Sequence, residues 1–346
     1  MNRQLTWTKE PKRNSTFVIA EAGVNHNGNL SMALELVDAA VEAGADAVKF
    51  QLFNASEQIS KYSPTAAYQQ TATGENSMLA MAKTYDLPWD AHRRISQYCN
   101  KVGIQYMSSC FDAEAIKLYK KINGKILKIA SGEITNFELL TAAAESNLPI
   151  ILSTGMSTFA EISEAVNHII TISSSPIALL HCVSRYPTPI EALNLNFINT
   201  LSVAFNLQIG LSDHTNHLGV GGWAVICGAS IIEKHLTLDR ALSGPDHAMS
   251  CNPEEMKIYI KQIREAECSL GDSQKVLTQE EIEVRNVARR SIVAARDLPR
   301  GSVLTSEDLA FKRPGTGISP SLKKLLLGRK LKKSLSADQQ IAWEDL

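Results

Sequence analysis

The sequence predicts a (β/α)8 barrel, a closed ring of eight parallel strands surrounded by helices, followed by a small β-rich domain. Three observations lead to this prediction. Eight short β-rich segments recur between residues 17 and 237, and amphipathic helical segments separate them. After about residue 285 the pattern changes to short β runs punctuated by proline and glycine.

The eight predicted strands are nearly continuous apolar runs, as is typical of strands buried on both faces of a parallel sheet. They cover residues 17–22, 47–52, 103–109, 126–131, 149–154, 177–183, 208–213 and 230–237. The clearest helix is predicted at 30–44, where apolar residues recur at helical spacing and Gly44 ends the pattern. Another is predicted at 158–170, because Thr158 and Glu161 have capping-box spacing.

These patterns divide the chain into a barrel domain at 1–270, a linker at 271–285 and a C-terminal domain at 286–346. The C-terminal domain has twelve Lys/Arg and six Asp/Glu, a net charge of +6, so the rest carries 23 − 30 = −7. A basic tail could indicate nucleic-acid binding, but this tail lacks interleaved aromatic residues. We therefore expect no nucleic-acid partner and an attraction between the two parts, within or between chains.

The composition is that of a soluble globular protein, with 44% apolar and 21% charged residues. No apolar run approaches the roughly 18 residues that span a membrane, and the N-terminal segment has no stretch of the signal-peptide kind. We therefore expect a cytoplasmic protein without membrane contact. The six cysteines form no CxxC pair, which argues against a zinc ribbon or a disulfide framework.

Polar residues gather where the predicted strands end, and the carboxyl ends of barrel strands are where active sites lie. Every predicted strand contributes: Glu21; Lys49 and Gln51; Ser108 and Ser109; Lys128, Ser131 and Glu133; Ser153 and Thr154; His181; Ser212, Asp213 and His214; Glu233, Lys234 and His235. A barrel with only a structural role needs no lysines and hydroxyls at one end. The sequence therefore predicts an active site there.

Two histidines, His214 and His235, end the adjacent predicted strands 7 and 8. Imidazole nitrogens suit divalent transition metals, and water or substrate can fill the other positions. The alternative is a pair of buried or loop-capping histidines. Their position on neighbouring strands at the expected active end favours a metal site. His217 has the features of a surface loop residue and receives no role.

Two lysines, Lys49 and Lys128, interrupt otherwise apolar strands. Burying an ammonium without a partner is costly, so both are expected to point towards an anion. A Schiff-base lysine is a competing interpretation, but such an aldolase needs only one. Together with four serines, the lysines favour a cradle for phosphate and carboxylate groups. These serines are Ser109, Ser131, Ser153 and Ser212.

Two carboxylates, Glu21 and Glu133, complete the predicted site at the ends of strands 1 and 4. A carboxylate near a metal-bound water can take its proton. Asp213 and Glu233 could equally orient the histidines or pair with the lysines.

In barrel order, the motifs EAGVNHNG, AVKFQ, KIASGE, ILSTGM, LLHCVSRYPTP, GLSDHT, EKH and GPDHAMS resemble the sialic acid synthase family. That family includes N-acetylneuraminate synthases and relatives that make legionaminic and pseudaminic acids. The tail segment DLPRGSVLTSEDLAFKRPGTGI resembles the antifreeze-like (SAF, β-clip) domain of those enzymes. The resemblance covers about residues 15 to 345.

The resemblance implies an enzyme that condenses phosphoenolpyruvate with an open-chain N-acetylated aminosugar and releases phosphate. It implies a divalent metal, manganese with magnesium or cobalt as alternatives, on His214 and His235. Phosphoenolpyruvate would contact Lys49, Ser109, Lys128, Ser131, Ser153 and Ser212. The sugar would contact Gln51, Tyr186, Asp246 and Arg313. Glu133 would take a proton from the attacking water and Glu21 would help to position the site.

In the sialic acid synthase family, the arginine at the position of Arg313 reaches in from the partner chain. The resemblance therefore implies a domain-swapped homodimer. Position 184 is Ser where the N-acetylneuraminate branch often has Asn, and Arg185 adds a charge beside the pocket. Two sugars therefore stay open, N-acetylmannosamine and a 2,4-diacetamido-trideoxyhexose. His247 either contacts the sugar or lies in a loop.

Two other activities remain as alternatives. One is a phosphoenolpyruvate-condensing barrel that uses a phosphorylated sugar; such enzymes generally lack the antifreeze-like tail. The other is a metal-dependent hydrolase, which usually needs more ligands, such as an HxH motif on strand 1. Here strand 1 leads only to His26. A carbohydrate- or ice-binding role for the tail alone would leave Lys49, Lys128 and the histidine pair unexplained.

Overall fold

A computed structural model describes residues 15–346, so the first fourteen residues of the predicted barrel domain lie outside the described part. The chain divides into two compact units: one ends at Gly271, and the other spans Asp272–Leu346. Within the described residues, no helix combines the length and hydropathy needed to cross a membrane.

The first unit contains a closed barrel of eight parallel strands, which confirms the predicted fold class. The strands are β1 (Phe17–Gly23), β2 (Ala47–Leu52), β3 (Gln105–Cys110), β4 (Leu127–Ile129), β5 (Ile150–Ser153), β6 (Ile177–Cys182), β7 (Gln208–Asp213) and β8 (Ile231–His235). Neighbours in the chain are neighbours in the sheet, and β8 pairs with β1 to close the ring.

Helices follow the strands around the barrel. They are α1 (Leu30–Ala43), α2 (Ala55–Gln58), α3 (Ala67–Thr73), α4 (Met78–Tyr85), α5 (Trp89–Val102), α6 (Ala113–Lys121), α7 (Phe137–Glu145), α8 (Phe159–Ile172), α9 (Asn196–Phe205), α10 (Val220–Ile226) and α11 (Pro253–Leu270). Gly44 ends α1 in the left-handed conformation, at φ 83°, which glycine adopts without strain. The predicted capping box of Thr158 and Glu161 begins α8.

Side chains alternate along each strand and so form two separate apolar clusters. The outward-facing residues pack against the helices in the larger cluster, which includes Val18, Ala20 and Val48. The inward-facing residues form a smaller cluster inside the ring, called the apolar layer below. It consists of Phe17, Ile19, Ala47, Met107, Ile126, Ile151, Ala178, Leu180 and Ile231. The barrel interior is therefore filled at this level.

The second unit has its own core and a small antiparallel sheet. Strands β9 (Ser291–Ala294) and β10 (Leu309–Lys312) pair with Leu309 opposite Ala294, and helices α12 (Gln279–Ala288) and α13 (Lys323–Leu326) accompany them. Its core includes Ile292, Leu304, Leu326 and Ile341. Helix α12 occupies much of the segment that was predicted to be a linker. Thr278 begins it with a capping box that the sequence analysis did not identify.

Candidate active site

A cavity of about 660 Å³ opens at the carboxyl ends of the barrel strands. Thirteen predicted site residues line it: Glu21, Lys49, Gln51, Ser109, Lys128, Ser131, Glu133, Ser153, Tyr186, Ser212, His214, His235 and Asp246. The fourteenth, Arg313, belongs to the second unit, where its exposed guanidinium donates a hydrogen bond from Nε to the Ala288 carbonyl at 3.0 Å. The barrel thus brings together residues that are more than 200 positions apart in the sequence.

Strand alternation explains how these side chains reach the cavity. Residues two positions beyond the apolar layer point to the same side of their strands. Ile19 is followed by Glu21, Met107 by Ser109, and Ile151 by Ser153. The resulting set is called the polar layer below. It consists of Glu21, Lys49, Ser109, Lys128, Ser153, Ser212 and Glu233, and it forms the cavity floor.

Lys49 occupies the centre of one ion-paired group in this floor. Its Nζ lies 2.7 Å from Glu21 Oε2 and 3.6 Å from Glu233 Oε2, and it donates to Ser109 Oγ at 2.9 Å. Gln51 donates from Nε2 to Glu21 Oε1 at 3.2 Å. Burial lowers the pKa of Lys49, but the Glu21 and Glu233 carboxylates outweigh it and raise that pKa above its ordinary value. Lys49 therefore keeps its charge in a buried position.

Glu233 links this group to the second lysine. Its Oε1 lies 3.9 Å from Lys128 Nζ and accepts a hydrogen bond from Ser212 Oγ at 2.9 Å. Burial raises the pKa of Glu233, but Lys128 and Lys49 outweigh it and hold that pKa below its ordinary value. The sequence analysis left its role open between the histidines and the lysines. The structure places it between both lysines.

For two other groups in the cavity, Glu21 and Lys128, the effect of burial on the pKa outweighs the effect of the neighbouring charges. Burial raises the pKa of Glu21 to about 7, with Lys49 opposing the shift and Glu233 adding to it. It also lowers the pKa of Lys128. Ser153 Oγ is buried without a hydrogen-bond partner among the described residues. A floor with two lysines and an unpaired hydroxyl is suited to an anionic ligand that supplies the missing partners.

The two predicted metal ligands lie side by side, with 5.5 Å between the ring centroids of His214 and His235. His214 donates from Nδ1 to the Val183 carbonyl at 2.9 Å, which leaves Nε2 as its acceptor nitrogen. Burial lowers the pKa of His235 well below its ordinary value, so this ring stays neutral. Its Nδ1 is buried without a hydrogen-bond partner among the described residues. Burial lowers the pKa of His214, but Cys182 and the Val183 carbonyl outweigh it and raise that pKa above its ordinary value. Two buried imidazoles, of which His235 is neutral, fit a divalent transition metal that displaces any remaining proton.

This arrangement provides two imidazole ligands and no larger protein cage. Within residues 15–346 there is no group of three or more His, Cys, Asp or Glu side chains arranged to hold a metal ion. Asp246 Oδ2 lies 3.9 Å from His235 Nδ1, and burial raises the pKa of Asp246 to about 6. Such a site leaves most coordination positions to substrate or water, as in catalytic metal centres.

Aromatic residues cover the histidines. The ring of Tyr186 lies 4.3 Å from that of His214, centroid to centroid, and Tyr68 lies 5.1 Å from Tyr186. Tyr68 belongs to α3 and lines the cavity, but the sequence analysis did not single it out. Glu133 lies higher in the cavity wall, partly exposed, where its Oε2 accepts a hydrogen bond from Asn136 at 2.9 Å.

The long connection between β2 and β3, residues 53–104, supplies a wall that the sequence analysis missed. A separate apolar cluster forms there, consisting of Val24, Phe53, Met78, Met81 and Tyr85, and all five residues line the cavity. It is called the apolar wall below. The sequence contained one signal for this wall, the length of the connection. A connection between barrel strands that is longer than one helix needs forms additional structure near the site.

Some polar residues at the predicted strand ends face away from the cavity. His181 bonds from Nε2 to the Leu193 carbonyl at 2.8 Å and contacts Phe197, because Leu180 and Cys182 occupy the inward positions of β6. His247 is fully buried, and its two ring nitrogens bond Thr237 and Asn27. Neither histidine lines the cavity. His217 is exposed beside Trp223, and Arg185 is exposed and does not line the cavity.

Comparisons with known proteins identify the family of the chain. A sequence profile of the NeuB family matches residues 36–275, and one of the SAF domain matches residues 289–346. The N,N'-diacetyllegionaminic acid synthase of Legionella pneumophila is 42% identical over 100% of this chain and 99% of its own length. The enzyme of the same name from Campylobacter jejuni is 40% identical over 94% of this chain and 98% of its own length.

Solved structures give the same result. The N-acetylneuraminic acid (sialic acid) synthetase of Leptospira borgpetersenii, crystallised with citrate, is 36% identical, with a TM-score of 0.71. The match covers 79% of this chain and 92% of that one. The chain is therefore an enzyme of the transferase type, and it belongs to the NeuB family, with a SAF domain at its C-terminal end.

Proposed function

We propose that this enzyme condenses phosphoenolpyruvate with an open-chain N-acetylated aminosugar and water, giving a nonulosonic acid and phosphate. The observation that carries the proposal is the polar layer: two buried lysines and three buried serine hydroxyls face one cavity beside two buried histidines. Phosphoenolpyruvate carries a phosphate and a carboxylate, and each lysine can neutralise one of them. The names of the relatives, which are acid synthases, support the same reaction class.

We further propose a divalent metal on His214 and His235, manganese with magnesium or cobalt as alternatives. When bound, it supplies a Lewis acid for the carbonyl oxygen of the sugar aldehyde. The Val183 carbonyl holds His214 in the tautomer that leaves Nε2 free for a ligand. Tyr186 covers the pair and restricts water on that side.

In the proposed reaction, C3 of phosphoenolpyruvate forms a bond with the aldehyde carbon as the C2–C3 double bond opens, and the aldehyde oxygen becomes a hydroxyl. Water adds to C2, and the bond from C2 to the phosphate oxygen then breaks, so that C2 becomes a ketone and phosphate leaves. Of the two protons of the water, one ends on the new hydroxyl and the other on the phosphate. Glu133 accepts a proton from the attacking water at its carboxylate, since it reaches the cavity from above the floor. Lys49 and Lys128 keep the departing phosphate and the carboxylate neutralised throughout.

Glu21 has a separate task. Its ion pair with Lys49 at 2.7 Å fixes the lysine beside Ser109, so the ammonium is already oriented when the anion arrives. With a pKa near 7, the Glu21 carboxyl can also hold a proton that is released within the cavity.

The apolar wall favours one sugar over the other. A hydroxyl facing Met78, Met81 and Val24 loses hydrogen bonds to water, at a cost of about 1–3 kcal/mol. A methyl group in the same place gains roughly 0.8 kcal/mol by burial. N-acetylmannosamine has hydroxyls where a 2,4-diacetamido-2,4,6-trideoxyhexose has an acetamido group and a methyl. We therefore propose the diacetamido sugar, in agreement with the names of the Legionella and Campylobacter relatives.

The same cavity speaks against a phosphorylated sugar. Among the described residues of the first unit, the cationic or basic side chains that line it are Lys49, Lys128, His214 and His235. The two lysines lie in the floor and the two histidines lie just above it, where phosphoenolpyruvate and the metal are proposed to bind. The apolar wall offers no cationic partner for a second phosphate.

Phosphate release by the purified protein tests this proposal. The assay contains phosphoenolpyruvate, Mn2+ and one of four sugars: N-acetylmannosamine, its 6-phosphate, 2,4-diacetamido-2,4,6-trideoxymannose, or the corresponding altrose. We expect release with the diacetamidomannose and its loss with EDTA. Faster release with N-acetylmannosamine would contradict the sugar assignment alone, whereas no release with any sugar would overturn the condensation itself.

We also propose a domain-swapped homodimer in which Arg313 of one chain serves the sugar site of its partner. The exposed position of Arg313 and the family resemblance support this proposal. Arg313→Ala should raise the KM of the sugar about tenfold or more while the KM of phosphoenolpyruvate stays the same, because a charged hydrogen bond to the sugar alone is lost. An equal rise in both KM values would count against it.

Mixing the two defective variants tests the swap directly when the sugar concentration is well below the wild-type KM. Arg313→Ala and His235→Ala, unfolded together and refolded, should then regain about a quarter of the wild-type activity, because each mixed dimer contains one intact site. If the arginine served its own chain, every site in the mixture would carry a defect and the activity would not exceed that of the Arg313→Ala sites alone.

A further inference from the structure

A second ion pair lies directly behind the two metal-site histidines. Asp213 on β7 and Lys234 on β8 are opposite each other in the sheet register, and each precedes its histidine by one residue. Because side chains alternate, this pair faces the helix layer while His214 and His235 face the cavity. Lys234 Nζ lies 3.0 Å from Asp213 Oδ2, and the two side chains are 1% and 0% exposed.

The pair holds both backbone groups of Thr215, the residue after His214. Asp213 Oδ1 accepts a hydrogen bond from the Thr215 amide at 2.8 Å, and Lys234 Nζ donates to the Thr215 carbonyl. His214 thus lies inside a turn whose two ends are bound to one ion pair. Lys234, at the other end of that pair, is covalently joined to His235.

Helix α11 completes the arrangement. Tyr259 donates from its hydroxyl to Asp213 Oδ2 at 2.8 Å, and Lys234 Nζ lies 5.3 Å from the centre of its ring. Every charged atom of the pair therefore has a partner. Removing two charges from water is costly, and an apolar pair of similar volume often stabilises a fold as well or better. A stability role alone does not account for charges at this position.

We propose that the Asp213–Lys234 pair is a positioning device that sets the spacing of His214 and His235 for a divalent metal. The inference rests on the proposed metal role of the two histidines. It explains what holds the two imidazole rings at the spacing that a shared metal ion needs. Ser212 and Glu233, one residue earlier, are also opposite each other, so the ion pair fixes the strand register beneath the histidines from the side that no ligand reaches.

Metal binding by the metal-free protein tests the inference without using activity. The double variant Asp213→Leu/Lys234→Met leaves no unpaired buried charge and should fold. Its Mn2+ affinity, measured by titration with electron paramagnetic resonance, should fall about tenfold to a hundredfold, as happens when groups that orient metal ligands are removed. In the metal-free variant, the Thr215 amide should also exchange its hydrogen faster than in the wild type.

Asp213→Asn is the second variant, because it keeps the side-chain shape and an amide oxygen that can accept from Lys234, although the buried ammonium loses its counter-ion. If the double variant fails to fold, the loss of Mn2+ affinity should still be measurable in this single variant. Wild-type affinity in either folded variant would overturn the positioning role. A wild-type protein that binds no Mn2+ would instead remove the metal role itself, a different result from the loss of positioning alone.

The matched control is a partly buried ion pair at the opposite end of the barrel. Arg264 Nη2 lies 3.0 Å from Asp46 Oδ2, and the pair bonds the backbone of Thr16 and Val18 where β1 begins. Arg264→Met should lower the unfolding temperature without changing Mn2+ affinity. An equal loss of Mn2+ affinity in this control would show that general destabilisation, and not the Asp213–Lys234 pair, accounts for the effect.

Discussion

The two layers inside the barrel are one strand repeat apart, roughly 7 Å along the barrel, yet they differ completely in chemistry. The apolar layer consists of side chains such as Ile19, Met107 and Ile151, which fill the ring. Two residues further on, the same strands supply Glu21, Ser109 and Ser153, which leave a cavity lined with charge. The lower layer accounts for folding and the upper one for binding, so substitutions in the two layers should fail in different ways.

The largest effect should come from the metal-site histidines above the polar layer. We expect His235→Ala to lower kcat/KM by at least about a hundredfold, because the loss of a ligand exceeds the loss of a group that orients it. The barrel should stay folded, because no protein hydrogen bond of the buried His235 Nδ1 is lost. Circular dichroism and phosphate release measure the two properties separately. Full activity of this variant in metal-free buffer would contradict the assignment of His235 as a metal ligand.

A matched pair of substitutions on β3 separates the layers more sharply. Met107→Ala opens a cavity in the apolar layer and should lower the free energy of unfolding by about 2–5 kcal/mol, with the KM of phosphoenolpyruvate unchanged. Ser109→Ala should do the opposite: a smaller loss of stability, because Lys49 keeps Glu21 and Glu233 as partners when its bond to Ser109 is lost, but a KM for phosphoenolpyruvate raised about tenfold, the equivalent of one hydrogen bond to a charged group. Urea unfolding and initial rates measure both variants. If either changed both properties equally, the division into layers would be wrong.

The smallest effect concerns a buried titratable group outside both layers. His92 bonds Tyr106, and burial lowers its pKa to about 4. The unfolded chain takes up a proton below about pH 6.5 while folded His92 stays neutral, so stability falls as the pH falls from 6.5 towards 4. His92→Gln should reduce this loss by about 1 kcal/mol between pH 7 and pH 5.5, measured by urea unfolding. Identical pH dependence in both proteins would contradict the assignment.

The sequence predicted the barrel and the end at which the cavity lies, because apolar strand runs and their spacing are local signals. It did not predict which of two neighbouring polar residues faces inward. In β6 and β8, apolar residues occupy both faces of the strand, so the sequence shows no alternation of polar and apolar residues. It therefore could not show that Cys182 faces inward and His181 outward, or that Glu233 faces inward and Lys234 outward. Closure of the ring decides it, because the register of β8 is set by its pairing with both β7 and β1.

The apolar wall was missed for a different reason. Its residues come from the segment after β1, from α4 and from the segment after β2, and none carries charge or metal-binding chemistry. Methionines at helical spacing in α4 are typical of any core helix. Only the packing of α4 beside the cavity makes these methionines part of its lining, and that packing depends on contacts distant in sequence.

The filled apolar layer also imposes a sequence of events. Because it fills the barrel interior below the polar layer, ligands cannot leave the cavity through the barrel core. Of two ligands that share it, the one on the floor must arrive first and depart last. A steady-state study should therefore find compulsory-order kinetics, with the anionic substrate leading and phosphate trailing the new acid. The apolar layer that stabilises the fold would thus also set the order in which substrates bind and products leave.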